Sequence, residues 1–353
     1  MDYITKINGV QLENPVMTWT ALTDDRYPWR ERKMGTLKLA QLYDKGGYPR
    51  FAERARTCAT WLEYNVDNSG RKLAAANFCQ LRLCPMCIAR RARRSAHKLS
   101  QVMDAVAGEY DARFVFLTLT VANVPGEELG AAIGQITSAW TRLIKHRQIE
   151  RSVGGWFRAV EITREDKSKG RRRLPREMYH PHLHAILAVP PDYFSRKSGL
   201  YITQAEWVRR WQKALRVDYA PSVRVQVTKA KGAVSGGCAA ALEAAKYTVK
   251  ASDYIDDRLP EKRAVEILCD YTEALHRRRL TAFGGWLKEA AKELDAENLE
   301  DGDLVHVDDE AVREDVAELI EYYNWNFGAG DYILSGRTHG PLKVRRGGKD
   351  DGD

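Results

Sequence analysis

No stretch of this 353-residue chain approaches the run of about 18 apolar residues that a membrane-spanning helix requires. Its first residues, MDYITKINGVQLENP, lack the charged-then-apolar pattern of a secretory leader. A cytoplasmic protein is the default expectation. The phosphate-cradling pattern G-x-x-x-x-G-K-[ST] is also missing, which argues against an ATP-driven motor within the chain. There is no internal repeat and no long low-complexity tract. Cysteine is scarce: four of the six crowd into residues 58–87, and Cys238 and Cys269 stand alone. In a reducing compartment such clustering points to metal rather than disulfides.

What is present begins with an uneven charge. Lys and Arg number 56 against 48 acids, a net +8. Residues 293–321 hold thirteen acids and one base, Arg313, so the rest of the chain carries +20. A basic remainder of that size suits a polyanionic partner.

Hydrophobic periodicity gives the organisation. RFVFLTLTV (113–121) reads as a buried strand. A helix follows over 125–147, with Pro125, Glu127 and Glu128 at its start and Lys145 to Arg147 at its end, as the helix dipole favours. GWFRAVEIT (155–163) and MYHPHLHAILAV (178–189) are strands joined by a polar basic loop. Thr203 and Glu206 have capping-box spacing for an amphipathic helix over 203–217. SVRVQVTK (222–229) alternates as a strand, and an Ala-rich helix runs to about Tyr247. Residues 261–300 look helical, broken by FGGW, and the acidic stretch looks like a linker ending in a short helix. The order strand, helix, strand, strand, helix, strand, helix implies an α+β, ferredoxin-like split βαβ antiparallel sheet with helices on one face.

Only eight histidines are available, and three alternate within one apolar strand: His180, His182 and His184. Period two puts them on one face, about 6–7 Å apart. His182 and His184 can converge on a cation above the sheet. Glu161, in an otherwise apolar neighbouring strand, is the candidate third ligand, because an unpaired buried carboxylate is costly. His180, preceding Pro181, could instead orient DNA or support a ligand from outside the first shell.

In ALEAAKYTVK, Glu243 and Tyr247 stand four apart on one helical face, flanked by Lys246 and Lys250. A phenol with a pKa of about 10 is rarely ionised at neutral pH. Neighbouring cations and a metal-polarised electrophile would ease its attack on phosphorus, and Glu243 could serve as base in a second step. The pair is common in Ala-rich helices; it gains weight from following a sheet that carries a metal triad. Tyr254, seven residues on, is a rival, but TVKASD favours an exit from the helix.

Cys79, Cys84 and Cys87 form C-x4-C-x2-C, with Cys58 upstream, and suit a structural Zn²⁺ held by four thiolates. Residues 79–100 hold five arginines, one lysine and no acid. Arg90, Arg91, Arg93 and Arg94 therefore read as a phosphate-contacting helix face. Tryptophans and tyrosines could stack on unpaired bases.

Together FLTLT (116–120), HPHLH (180–184) and EAAKY (243–247) resemble the three ordered motifs of plasmid rolling-circle replication initiators of the HUH endonuclease superfamily, single-tyrosine type. The likeness covers roughly residues 55–335. It implies a plasmid-encoded initiator in a bacterial cytoplasm that binds single-stranded, hairpin and duplex origin DNA. Tyr247 would nick one strand and stay joined to its 5′ end, and the free 3′-OH would prime synthesis. A host helicase and polymerase would be partners, and Glu243 would serve termination. It implies Mg²⁺ or Mn²⁺ at the histidines, and two imidazoles with one carboxylate suit Mn²⁺. Oligomeric state stays open, a dimer on the origin included. The domain expectation is an N-terminal extension (1–57), a Cys-rich zinc knuckle with basic helix (58–108), an HUH endonuclease domain (109–258) and a helical C-terminal region (259–353). Competing readings are an HUH relaxase or transposase, a non-catalytic zinc-dependent DNA-binding regulator, and a metal phosphodiesterase that uses water directly.

Overall fold

The computed structural model describes residues 20–23, 27–68, 70–164, 177–227, 249–307 and 319–339. Among the described residues two antiparallel sheets organise the fold. The larger contains β3 (Arg113–Thr120), β5 (Gly155–Arg164), β6 (Met178–Val189), β7 (Val223–Val227) and β8 (Thr281–Gly285), with a short β4 (Val124–Pro125) against β6. Its order is β7-β3-β6-β5-β8, and every pairing is antiparallel. Numbered by appearance, β3, β5, β6 and β7 follow the order 4-1-3-2. That is the ferredoxin-like arrangement the sequence implied, with β8 added at one edge.

Alternation sorts the side chains of this sheet onto two faces. Leu117, Leu119, Val160, Ile162, Leu183, Ala185 and Leu187 share one core with Ile133, Ile136, Trp140, Trp207 and Trp211. Those partners belong to α4 (Gly126–Ile144) and α6 (Gln204–Leu215). The capping box of α6 is formed: Thr203 Oγ1 accepts from the Glu206 amide, and the Glu206 carboxylate accepts from the Thr203 amide at 3.0 Å. The helix expected over 125–147 ends at Ile144, and α5 (Arg147–Ser152) follows as a separate turn.

The second face is not bare. Phe114, Phe116, Phe157, Ile186, Ala188 and Phe283 pack against Leu99, Val102, Met103 and Val106 of α3 (Pro85–Tyr110) and Leu287, Ala290 and Ala291 of α8 (Trp286–Glu293). Helices on one face only was therefore too simple: α3 and α8 cover the lower part of the other. Toward the upper end of that face the residues turn polar, to Thr118, Thr120, Glu161, His182 and His184.

The C-terminal region, expected to be helical, holds α7 (Glu261–Ala274) and α8 but also three strands. β8 joins the main sheet, and FGGW is the junction from β8 into α8. β9 (Leu319–Asn326) and β10 (Asp331–His339) pair in the order β10-β9-β1-β2 with β1 (Trp61–Asp67) and β2 (Gly70–Ala76). Tyr323, Trp325 and Tyr332 are buried, and period-two burial selects strand. The segments 58–108 and 259–353 thus build one sheet together. The N-terminal part contributes α1 (Trp29–Lys45) and α2 (Pro49–Thr57). The acidic stretch is more than a linker over its described part: Ala296, Leu299, Leu304 and Val307 are buried. Its end belongs to β9, while 308–318 lie outside the described residues. Among the described residues no helix is long and apolar enough to cross a membrane.

At the β8–α8 junction Gly285 has φ +54°, and a Cβ there would stand 2.1 Å from the Gly154 carbonyl oxygen. Gly285→Ala should destabilise the fold by about 2–3 kcal/mol. A lowered urea midpoint with unchanged slope is the expected reading.

Candidate metal centres

Strand register builds the first centre. Glu161 on β5 lies opposite His182 on β6, and Ala159 lies opposite His184. On the other side of β6, Thr118 and Thr120 of β3 face His184 and His182. All these side chains leave the same face. The Glu161 carboxylate lies 2.8 Å from His184 Nε2 and 3.3 Å from His182 Nε2. One ligand atom from each of the three falls within 4.8 Å of the others. All three residues are buried, at 8% exposure each.

The rings are aimed from behind. His182 Nδ1 donates to the carbonyl of His180 at 3.1 Å, which fixes the ring so that its Nε2 points at Glu161. His184 Nδ1 and Thr118 Oγ1 are hydrogen-bonded at 3.2 Å, and the Phe116 ring stacks on the imidazole. Burial alone would push Glu161 up. Hydrogen bonds from His182 and His184, with their charges, outweigh it and hold the carboxyl far below the usual carboxylate range. Two imidazole nitrogens and a carboxylate aimed at one point form a donor set that fits a divalent transition or alkaline-earth ion. His180 stands apart: its Nδ1 bonds Asn123 Oδ1 at 2.6 Å, and its contribution to the trio is the carbonyl that orients His182.

Glu243, Lys246 and Tyr247 lie outside the described residues, as do Arg171 to Arg173. Lys250 is described, exposed, at the start of the turn Ala251–Asp253. The rival Tyr254 is fully buried, its hydroxyl donates to the Leu83 carbonyl, and burial raises its phenol well above the ordinary value. Its ring packs on Tyr271, which packs on Tyr179. Tyr179 is an odd-numbered residue of β6, opposite in face to the histidines. Tyr254 is therefore unsuited to attack anything held at the triad.

The second centre gathers Cys58, Cys79, Cys84 and Cys87. The sulfurs of Cys58–Cys87, Cys79–Cys87 and Cys58–Cys84 are 3.7, 3.6 and 3.6 Å apart. A disulfide would bring two of them to about 2.05 Å. A tetrahedron with metal–sulfur bonds of about 2.3 Å has edges near 3.8 Å, so the spacing fits one ion. Cys84 caps α3 and Cys87 sits in its first turn, where the helix dipole favours thiolates. The Cys79 amide donates to Cys58 Sγ at 3.4 Å. Sequence reasoning missed Lys33. It is fully buried and donates to the carbonyls of Arg56 and Cys58. Burial pulls its pKa down, while the charge of Cys58, Cys84 and Cys79 pushes it back up.

Three arginines of α3 have carbonyl partners that the sequence did not reveal. Arg90 is buried and donates to the carbonyls of Leu304 and Val305. Arg91 donates to Glu300, and Arg94 to Asn298 and Asp301. These three guanidiniums satisfy carbonyls of a segment without regular structure, which need donors, and the buried Arg90 does not face solvent for phosphate. Arg93 is half-buried on the same helix. Thr118 was also overlooked as a supporting residue, although FLTLT placed it on the right face.

A family model described as "Replication protein" (Rep_1) matches residues 70–333. The chain is 38% identical over 288 residues to "Protein rep" of Streptococcus pneumoniae serotype 2, covering 80% of this chain and 84% of that protein. It is 36% identical over 314 residues to "Protein rep" of Lactiplantibacillus plantarum, covering 87% and 95%. With "Protein rep" of Bacillus amyloliquefaciens it shares 33% over 335 residues, covering 88% and 95%. No solved structure matches.

Elemental analysis of purified protein should find a tightly held ion that Cys87→Ser loses and His184→Ala keeps. In chelator-treated protein the depressed Glu161 carboxyl contributes stability that is fully present above about pH 4.3, the unfolded value. That contribution drains as pH falls toward the folded value. Urea midpoints of Glu161→Gln should therefore fall less than wild type between pH 5 and pH 3.

Proposed function

The chain belongs to the Rep_1 family of replication proteins, and from that footing we propose that it is a metal-dependent, site-specific nicking and joining endonuclease initiating plasmid rolling-circle replication. The observation that carries this reading is the convergence of Glu161, His182 and His184 on one point of a ferredoxin-like sheet. Mg²⁺ or Mn²⁺ bound there would polarise the scissile phosphate and aid in-line displacement. His182 and His184, aimed by the His180 carbonyl and Thr118, give that site fixed direction. Zn²⁺ in the four-cysteine cluster would be structural, tying the end of α2 to the start of α3.

Tyr247 is the nucleophile in this reading. Its phenolic oxygen bonds to phosphorus and loses its proton, the bond from phosphorus to the 3′ oxygen breaks, and the departing oxygen takes a proton to become the 3′-OH. The phosphotyrosine conserves the energy of the broken bond for rejoining. Glu243 serves as base in the terminating step, drawing the proton from water or a hydroxyl. Lys246 and Lys250 lower the cost of phenolate and bind phosphate. The free 3′-OH serves a host polymerase, and a host helicase opens the duplex, in keeping with the absence of an ATP-binding loop motif in the sequence. The setting is the bacterial cytoplasm, and the substrate is single-stranded or hairpin origin DNA.

Incubation with labelled single-stranded origin oligonucleotides and Mn²⁺, run on a denaturing gel, tests the reading. Wild type and Tyr254→Phe should give a covalent protein–DNA band, and Tyr247→Phe should give none while still binding DNA. Glu243→Ala should keep the first cleavage and slow the second step by about 10²–10⁴-fold. Cleavage without any covalent band would sink the tyrosine mechanism in favour of direct attack by water.

A further inference from the structure

Arg224 lies on β7, an edge strand among the described residues, directly opposite Thr118. Thr118 is itself opposite His184 and bonded to it. Paired residues share a face, so Arg224 belongs to the metal face and stands level with His184, two strand spacings away, about 10 Å. It is exposed, and among the described residues none forms an ion pair or hydrogen bond with it. Other arginines of the sheet are occupied. Arg158 donates to the Leu280 carbonyl, Arg164 pairs with the buried Glu177, and Arg113 lies over the Phe194 ring. Gln226, the next residue of β7 on the same face, is also exposed.

A planar guanidinium offers two parallel donors to two phosphate oxygens. An unpaired one within a nucleotide's reach of a metal trio has a clear counterpart: the phosphate next to the one being cut. We propose that Arg224 holds that neighbouring phosphate, so that a single strand crosses the metal face from β5 toward the β7 edge. The inference rests on the nicking reading for the identity of the strand. Arg224 is then a positioning residue, which sets where the scissile bond falls without touching it. A charge that only guards the edge against pairing with another sheet would have no effect on DNA affinity.

The test uses a fluorescein-labelled mixed-sequence single strand of about 20 nucleotides, with anisotropy read in EDTA across a salt series. Arg224→Gln should weaken binding about 5- to 10-fold and reduce the slope of log K against log salt by about 0.7, one phosphate contact on a single strand. Arg224→Lys should keep the slope. In Mn²⁺ with origin oligonucleotide, Arg224→Gln should raise the DNA concentration for half-maximal covalent adduct by the same factor and leave the maximal rate within about two-fold. Unchanged affinity and slope in Arg224→Gln, weaker binding with an unchanged slope, or a loss confined to the maximal rate would each overturn the proposal. If wild type forms no adduct at all, the nicking reading fails, and the EDTA titration still judges Arg224 alone.

Discussion

The pairing of β5 with β6 is the constraint on which the rest depends. One register places Glu161 beside His182 and Ala159 beside His184. A slip of one residue would send every side chain of a strand to the opposite face. The carboxylate would then enter the apolar core beside Trp140 and Trp207, and the trio would dissolve. What prevents the slip is the opposite face. Val160, Ile162, Leu183, Ala185 and Leu187 fit the core formed with α4 and α6 only in this register. The hydrophobic side of the sheet thus fixes the geometry of the polar side.

The two candidate metal centres divide the work of the fold. The histidine centre sits where a sheet face passes from phenylalanines to polar groups. The cysteine centre lies among helices, at the start of the long α3. Further along, α3 both covers the lower sheet face and receives the segment 294–305 through Arg90, Arg91 and Arg94. The acid-rich stretch is therefore held partly through its backbone carbonyls. Its side chains contribute selectively, as when Glu300 accepts from the amides of Leu280 and Thr281.

Features encoded locally were legible in the sequence. Histidines at period two, a lone carboxylate in an apolar strand, a short polar loop between strands and a tight cysteine spacing all pointed to groups the structure brings together. The order of the four core strands followed from the same patterns. Features that depend on distant partners were not legible. β9 and β10 look unremarkable in sequence because the strand they complete, β1, lies far upstream. Arg90 was misread because a row of positive charge looks the same whether its donors meet water, phosphate or a carbonyl. Only the packed loop decides, and its sequence gives little sign of where it docks. Tyr247 and Glu243, the proposed nucleophile and base, lie outside the described residues.

The sheet shared by β1 and β9 carries a temporal consequence. Arg71 and Glu321, ion-paired across this sheet, are 250 residues apart. A ribosome adding about 5–20 residues per second releases β1 some tens of seconds before its neighbour exists. During that interval the early hairpin has an open edge, and the buried seat of Glu321 between Arg71 and Arg337 is unmade. Completion of this half of the molecule is thus a late event in synthesis, and a nascent chain stalled before residue 319 has no means of closing it.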